Sequence, residues 1–128
     1  DEMGALDLAG RWTDEMSSGE ARRVLLARAL VHEPRALLLD EPGTSLDFAA
    51  QRHLNALVSE QARRGKTIVL ITHHLSDIIP EIERVAFLKD GQILDDGPKA
   101  SMLTREKMSA LFGADLHVVE QDGRYGLV

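Results

Sequence analysis

Asp40 and Glu41 follow directly on four apolar residues, Ala36-Leu37-Leu38-Leu39. Burying a charge is expensive unless it meets a metal, a cation or a reacting group. Two acids at the end of an apolar run therefore point to a metal and water site rather than to packing. A second apolar, β-rich run, Thr67-Ile68-Val69-Leu70-Ile71-Thr72, leads into His73. A histidine alone is more often structural than catalytic. What gives this one a functional reading is where the chain must place it.

The run Ala36–Leu39 reads as a short strand buried on both faces, the pattern of a parallel sheet. Asp47 suits the N-cap of a helix over Phe48–Arg64, with Ala50, Leu54, Leu57, Val58 and Gln61 or Ala62 on its inner stripe. Arg63 and Arg64 suit its last turn and Gly65 the C′ position. Strand, helix, strand makes a right-handed βαβ unit with parallel strands. Neighbouring strands lie ~4.8 Å apart, and open α/β sheets bind ligands at the carboxyl ends of their strands. Asp40 and Glu41 thus leave one strand at the same end at which Thr72 and His73 leave the other, and an acid pair and an imidazole converge on one crevice.

Upstream, Ser17-Ser18-Gly19-Glu20 is a capping box, with a helix expected from Ser18 to His32, stopped before Pro34, and Val24, Ala27, Leu30 and Val31 on its inner face. Most such boxes only start a helix; the sharper reading is that the free N–H groups of this helix start receive a phosphate. Gly4–Ala9 reads as a short helix and Arg11–Met16 as a loop. Downstream, a hairpin is expected over Val85–Lys89 and Gln92–Asp95 around Asp90-Gly91. Short helices follow from Pro98 to Leu103 and from Thr104 to Phe112 with Gly113 beyond, and then a last hairpin, Leu116–Glu120 with Arg124–Val128.

Composition bounds the function class. With 128 residues, 44% hydrophobic and 28% charged, the chain is one globular domain or less. A net charge of −6 argues against a general nucleic-acid surface. The absence of cysteine rules out disulfides and thiolate metal sites, and no apolar run approaches the ~20 residues of a membrane helix. His32, His53 and His117 are scattered, and His73 and His74 are adjacent on a strand end, where side chains should diverge, so no zinc site is expected. The chain begins at Asp1 rather than Met, as a piece of a longer protein would.

Four stretches in order, Met16-Ser17-Ser18-Gly19-Glu20, the helix Ala21–Leu30, Leu37–Asp47 and Ile71-Thr72-His73, resemble the nucleotide-binding domain of ABC ATPases. There they are the signature motif, its helix, the Walker B strand with D-loop, and the H-loop. The resemblance implies an α/β fold, the C-terminal half of a P-loop NTPase domain, with a mostly parallel sheet flanked by helices and a C-terminal hairpin. By this likeness residues 1–34 end a helical subdomain, 35–113 form the Walker B and H-loop core, and 114–128 the closing hairpin. It also implies roles. Asp40 holds Mg2+, Glu41 orients or deprotonates the attacking water, and His73 contacts the γ-phosphate. Ser17, Ser18, Gly19 and Glu20 meet ATP bound by the opposite subunit, and Asp47 lies in a loop crossing the dimer interface.

The sequence also departs from the family. Ser18 stands where the signature has a glycine, Glu20 where it has a glutamine, and Ser45 where the D-loop commonly has alanine. Glu20 brings a negative charge towards the expected phosphate. Gly65-Lys66-Thr67 is the one P-loop candidate, but position 60 is Glu and the triplet lies between a helix and a strand, the reverse of the required order. This chain alone is therefore expected to be inactive. In the family, the Walker A strand lies between the His73 strand and Val85–Leu88; without it the sheet would have a gap exposing apolar edges and unpaired N–H groups, so either a longer protein supplies the strand or self-association closes the gap. The likeness implies an ATP-hydrolysing transporter subunit, with ATP and Mg2+ as its cofactors. It implies a second such subunit, a homodimer, and separate transmembrane permease chains, with no nucleic acid, at the cytoplasmic face of the cell membrane. The alternatives are a non-transport ABC ATPase of regulation, translation or repair, and an inactive module that only binds a partner chain.

Overall fold

A computed structural model describes residues 3–128. The chain divides into two compact units, the first ending at Asp77 and the second running Ile78–Val128.

In the first unit, 3-10 turns at Leu6–Leu8 and Thr13–Glu15 replace the expected short helix and loop. Helix α1 spans Ser18–Leu30, β1 Ala36–Asp40, α2 Phe48–Arg63 and β2 Thr67–Ile71. The strands β1 and β2 pair in parallel, Ala36 opposite Thr67 through Asp40 opposite Ile71. This is the expected βαβ unit, and among the described residues no third strand joins it.

Helix α2 is the best specified element. Asp47 accepts the Ala50 N–H at 2.8 Å as its N-cap. At the other end, Gly65 (φ 88°) closes a Schellman motif, with Gly65 N–H on the Ala62 carbonyl and Lys66 N–H on that of Gln61. Leu54, Val58 and Gln61 are buried as expected. Burying each of the two aliphatic side chains contributes about 1.5–3 kcal/mol.

Strand β1 is not buried on both faces. Leu37 is 3% exposed but Leu38 is 77% exposed, and on β2 Val69 and Ile71 are also open. The cause is layer count: the described residues cover one face of the pair, so alternate apolar side chains point into the open. Helix α1 corrects the periodicity too. It ends at Leu30 rather than His32, its buried residue is Leu26, and Val31 is 69% exposed. Arg23 on this helix donates from Nη1 to the Gly4 carbonyl at 2.9 Å.

In the second unit, β3 (Arg84–Lys89) and β4 (Gln92–Pro98) form an antiparallel hairpin with a register shift at Phe87/Leu88. Its turn places Asp90 and Gly91 at positive φ, as a two-residue Asp-Gly turn requires. Helix α3 (Lys99–Met102) and helix α4 (Arg105–Phe112) follow, the latter capped by Thr104 and stopped by Gly113 at φ 69°. Strands β5 (Val118–Gln121) and β6 (Arg124–Leu127) make the closing hairpin. Lys99 organises this unit: its Nζ donates to the Pro80 carbonyl at 2.8 Å, and its burial pushes the ammonium pKa down.

Gly43 marks the tightest approach in the first unit. A Cβ there would overlap the Asp77 carboxylate, which is 2% exposed and held by its own hydrogen bonds. Gly43→Ala should therefore destabilise the intact protein by about 1–3 kcal/mol, measured by denaturant melting; an unchanged midpoint would show that Asp77 can move aside freely.

Candidate catalytic site

The register of β1 on β2 sets the site. Beyond the last ladder pair, Glu41 N–H donates to the Ile71 carbonyl at 2.8 Å. The chain then turns sharply: Glu41 has φ 46°, a left-handed conformation that a residue with a Cβ adopts at a cost. The turn is closed by Thr44 N–H on the Glu41 carbonyl at 3.2 Å. It brings Glu41 Oε1 to 2.6 Å from His73 Nδ1, while Thr44 Oγ1 donates to Oε2 at 3.3 Å. The acid and the imidazole meet where the parallel strands were expected to deliver them.

The His73 bond first, with smaller help from the Thr44 hydroxyl, outweighs the opposing desolvation and leaves the Glu41 carboxyl below the ordinary glutamate range. Glu41 is thus an acceptor-only carboxylate at neutral pH, and the proton in the shared bond belongs to His73 Nδ1. In a neutral ring Nε2 is then the acceptor nitrogen, and in an imidazolium it is a second donor. Asp40 differs from its neighbour. It is exposed, and no side-chain hydrogen bond or ion pair engages it among the described residues.

Behind His73, the chain is held by a residue that sequence reasoning missed. Asp77 accepts from Thr72 Oγ1 at 2.6 Å and from Gln51 Nε2 at 2.7 Å, and Thr72 Oγ1 in turn accepts the His74 N–H at 3.0 Å. Asn55, also missed, donates from Nδ2 to the Ser76 carbonyl at 2.8 Å. The signals were polar residues, Gln51 and Asn55, one turn apart on the helix expected to pack on these strands. The same bend corrects the expectation that His73 and His74 diverge: their ring centroids lie 3.9 Å apart, because β2 has already ended at Ile71.

The signature-like residues form a second group. Ser17 Oγ accepts the Glu20 N–H at 3.2 Å and Glu20 Oε2 accepts the Ser17 N–H at 2.8 Å, completing the capping box. Arg11 pairs with Glu20 at 3.4 Å. The Ser17 backbone bond first, then the Ser17 hydroxyl and the arginine charges, draw the Glu20 pKa down against a smaller desolvation. A Cβ on Gly19 would come within 2.9 Å of Ala50 Cβ, so the start of α1 abuts the start of α2 that Asp47 caps. Ser18 makes no side-chain hydrogen bond among the described residues, while the Ser17 and Asp47 side chains are occupied as caps.

A cavity of about 760 Å³ lies at the opposite, amino ends of the two strands, lined among others by Arg35, Gln61, Lys66 and Thr67. It is remote from the carboxyl-end geometry. Lys66 Nζ donates to the Pro34 carbonyl at 3.1 Å, so the Gly65-Lys66-Thr67 triplet is a helix stop and not a phosphate loop.

These features agree with what the chain resembles. The family model described as ABC transporter matches residues 1–44. The uncharacterized ABC transporter ATP-binding protein YlmA of Bacillus subtilis is 36% identical over 126 residues, 97% of this chain and 48% of YlmA. This chain is part of an ABC transporter ATP-binding domain. The molybdenum import ATP-binding protein ModC of Mycobacterium tuberculosis is 43% identical over 114 residues, 88% of this chain and 30% of ModC. Among solved structures, an inward-facing ABC transporter of the metal-chelate type superposes with a TM-score of 0.79 at 26% identity, over 98% of this chain and 53% of the other. A dimeric ATP-binding cassette in a post-hydrolysis state with ADP and Pi superposes at 0.59 with 31% identity, over 67% of this chain and 37% of the other. The chain thus spans half or less of the curated relatives it matches.

The capping box carries a pH signature. Because the folded Glu20 pKa is lowered, its contribution to stability is full above the unfolded value and is lost as pH falls through the folded one. The intact protein should be more stable than Glu20→Gln at neutral pH, with the difference closing in acid. A gap that stays constant across pH, measured by chemical denaturation, would contradict the pairing.

Proposed function

We propose that this chain supplies the water-orienting and partner-facing half of an ATP-hydrolysing subunit of an ABC transporter. The observation that carries the reading is the 2.6 Å bond between Glu41 and His73 at the carboxyl ends of two parallel strands. Phosphoryl transfer is mostly positioning and charge stabilisation. Glu41 aligns the attacking water through its carboxylate. His73, with Nδ1 engaged, presents Nε2 towards the γ-phosphate side and donates from it when the ring is protonated.

Asp40 fits a Mg2+ role by its donor set: an exposed carboxylate without a competing side-chain partner, where Mg2+ takes one or two carboxylates together with water and phosphate oxygens. The ion, bound with nucleotide, neutralises phosphate charge. Ser17, Ser18, Gly19 and Glu20 offer the N-terminus of α1 to ATP held by a second subunit, most simply a second copy, and Asp47 and its loop line the same contact. The phosphate-cradling loop comes from outside these residues, so this stretch alone turns over no ATP. In this reading the permease is a separate set of chains; no helix among the described residues is long and apolar enough to cross a membrane. The subunit sits on the cytoplasmic face of the membrane beside it, with no nucleic-acid partner.

In the intact protein, Glu41→Gln should keep ATP binding and trap a nucleotide-bound dimer while turnover falls about 10²-fold or more; turnover within about tenfold of wild type would refute the role of Glu41. His73→Ala should lower turnover strongly and leave the melting temperature nearly unchanged, since its side chain is 60% exposed. Unfolding of that variant would instead make His73 a structural residue.

A further inference from the structure

We propose that Glu41, His73 and His74 form a binding site for a borderline divalent transition-metal ion such as Zn2+, separate from any Mg2+ held at Asp40. One ligand atom from each residue lies within 4.8 Å of the others. A tetrahedral zinc site sets its ligand atoms about 3.3 Å apart, from bonds of about 2.0–2.1 Å, so modest side-chain rotations close the set. Such rotations are open to it, because the His73 side chain is 60% exposed and that of Glu41 34%.

The donor chemistry selects the ion. Two imidazoles and one carboxylate suit Zn2+ and its neighbours, whereas Mg2+ takes oxygen ligands. Three protein ligands leave a position for water. On binding, the ion takes the place between Glu41 Oε1 and His73 Nδ1 now filled by the shared proton, which moves to Nε2.

The arrangement is held from behind. The His74 N–H on Thr72 Oγ1 (3.0 Å) and the Thr72 hydroxyl on the buried Asp77 (2.6 Å) fix the bend that sets the two rings side by side. Outer partners of this kind orient metal ligands. With the ion in place, Glu41 and His73 are withdrawn from water and phosphate. That consequence rests on the reading of Glu41 and His73 as hydrolytic residues; the metal site does not.

The test is titration of the nucleotide-free intact protein with Zn2+ against a chromophoric chelator, in millimolar Mg2+. One saturable zinc per chain is expected from this site, weakened at least about tenfold by His74→Ala and unaffected by His117→Ala. No saturable binding at submillimolar zinc, or equal affinity in His74→Ala, overturns the site whatever the protein hydrolyses. Zinc inhibition of turnover, read against each variant's own rate, should shift to higher zinc in His74→Ala by the same factor. Binding without inhibition overturns the inhibitory consequence alone.

Discussion

The register of β1 against β2 is the constraint on which the first unit depends. Asp40 stands opposite Ile71, and the next N–H, that of Glu41, completes the ladder on the Ile71 carbonyl. Because side chains alternate along a strand, a slip of one residue would exchange Leu37 for Leu38 on the covered face. It would also carry Glu41 away from His73. The burial of Leu37 and the meeting of acid and imidazole are therefore consequences of one alignment. The left-handed backbone at Glu41 belongs to the same device: extended backbone would continue the strand, and the turn is what swings the carboxylate sideways onto the ring.

Asp77 is the second constraint, and it works through polar bonds. A carboxylate at 2% exposure is tolerated when its oxygens are hydrogen-bonded. Here Gln51 of α2 and Thr72 of the segment after β2 supply those bonds, while Gly43 leaves the room that the carboxylate occupies. The loop that carries Glu41, the segment that carries His73 and helix α2 are thereby tied to one buried group. Displacement of any of the three changes the distance on which the pair depends.

How much of this was legible follows from which signals are local. Helix α2, with Asp47 at one end and Gly65 at the other, and the hairpin at Asp90-Gly91 were readable because caps and turns are written in adjacent residues. The convergence of Glu41 and His73 was readable because parallel pairing fixes direction. The burial of α1 was not: apolar and basic residues mix around its circumference, so periodicity named Val24 and Val31 where tertiary contact selected Leu26. Leu38 was misread because four apolar residues in a row state that a strand can be covered on both faces, not that it is. The pairing of the two histidine rings and the role of Asp77 depend on a bend that only the Thr72 hydroxyl explains.

The division between Asp40 and Glu41 also bears on how the pair acts. A general base is most effective when its pKa lies near the working pH, and the His73 bond moves Glu41 the other way. The bond that brings the pair together thus weakens Glu41 as a proton acceptor while fixing its direction. Phosphoryl transfer through a loose transition state asks little of a base and much of alignment and charge. On the function proposed above, Glu41 therefore serves the reaction better as the fixed acceptor that orients water than as the group that takes its proton. On the same proposal, His73 sets that orientation through Nδ1 and keeps Nε2 for the phosphate side, leaving Asp40, which shares neither bond, as the carboxylate for a hard cation.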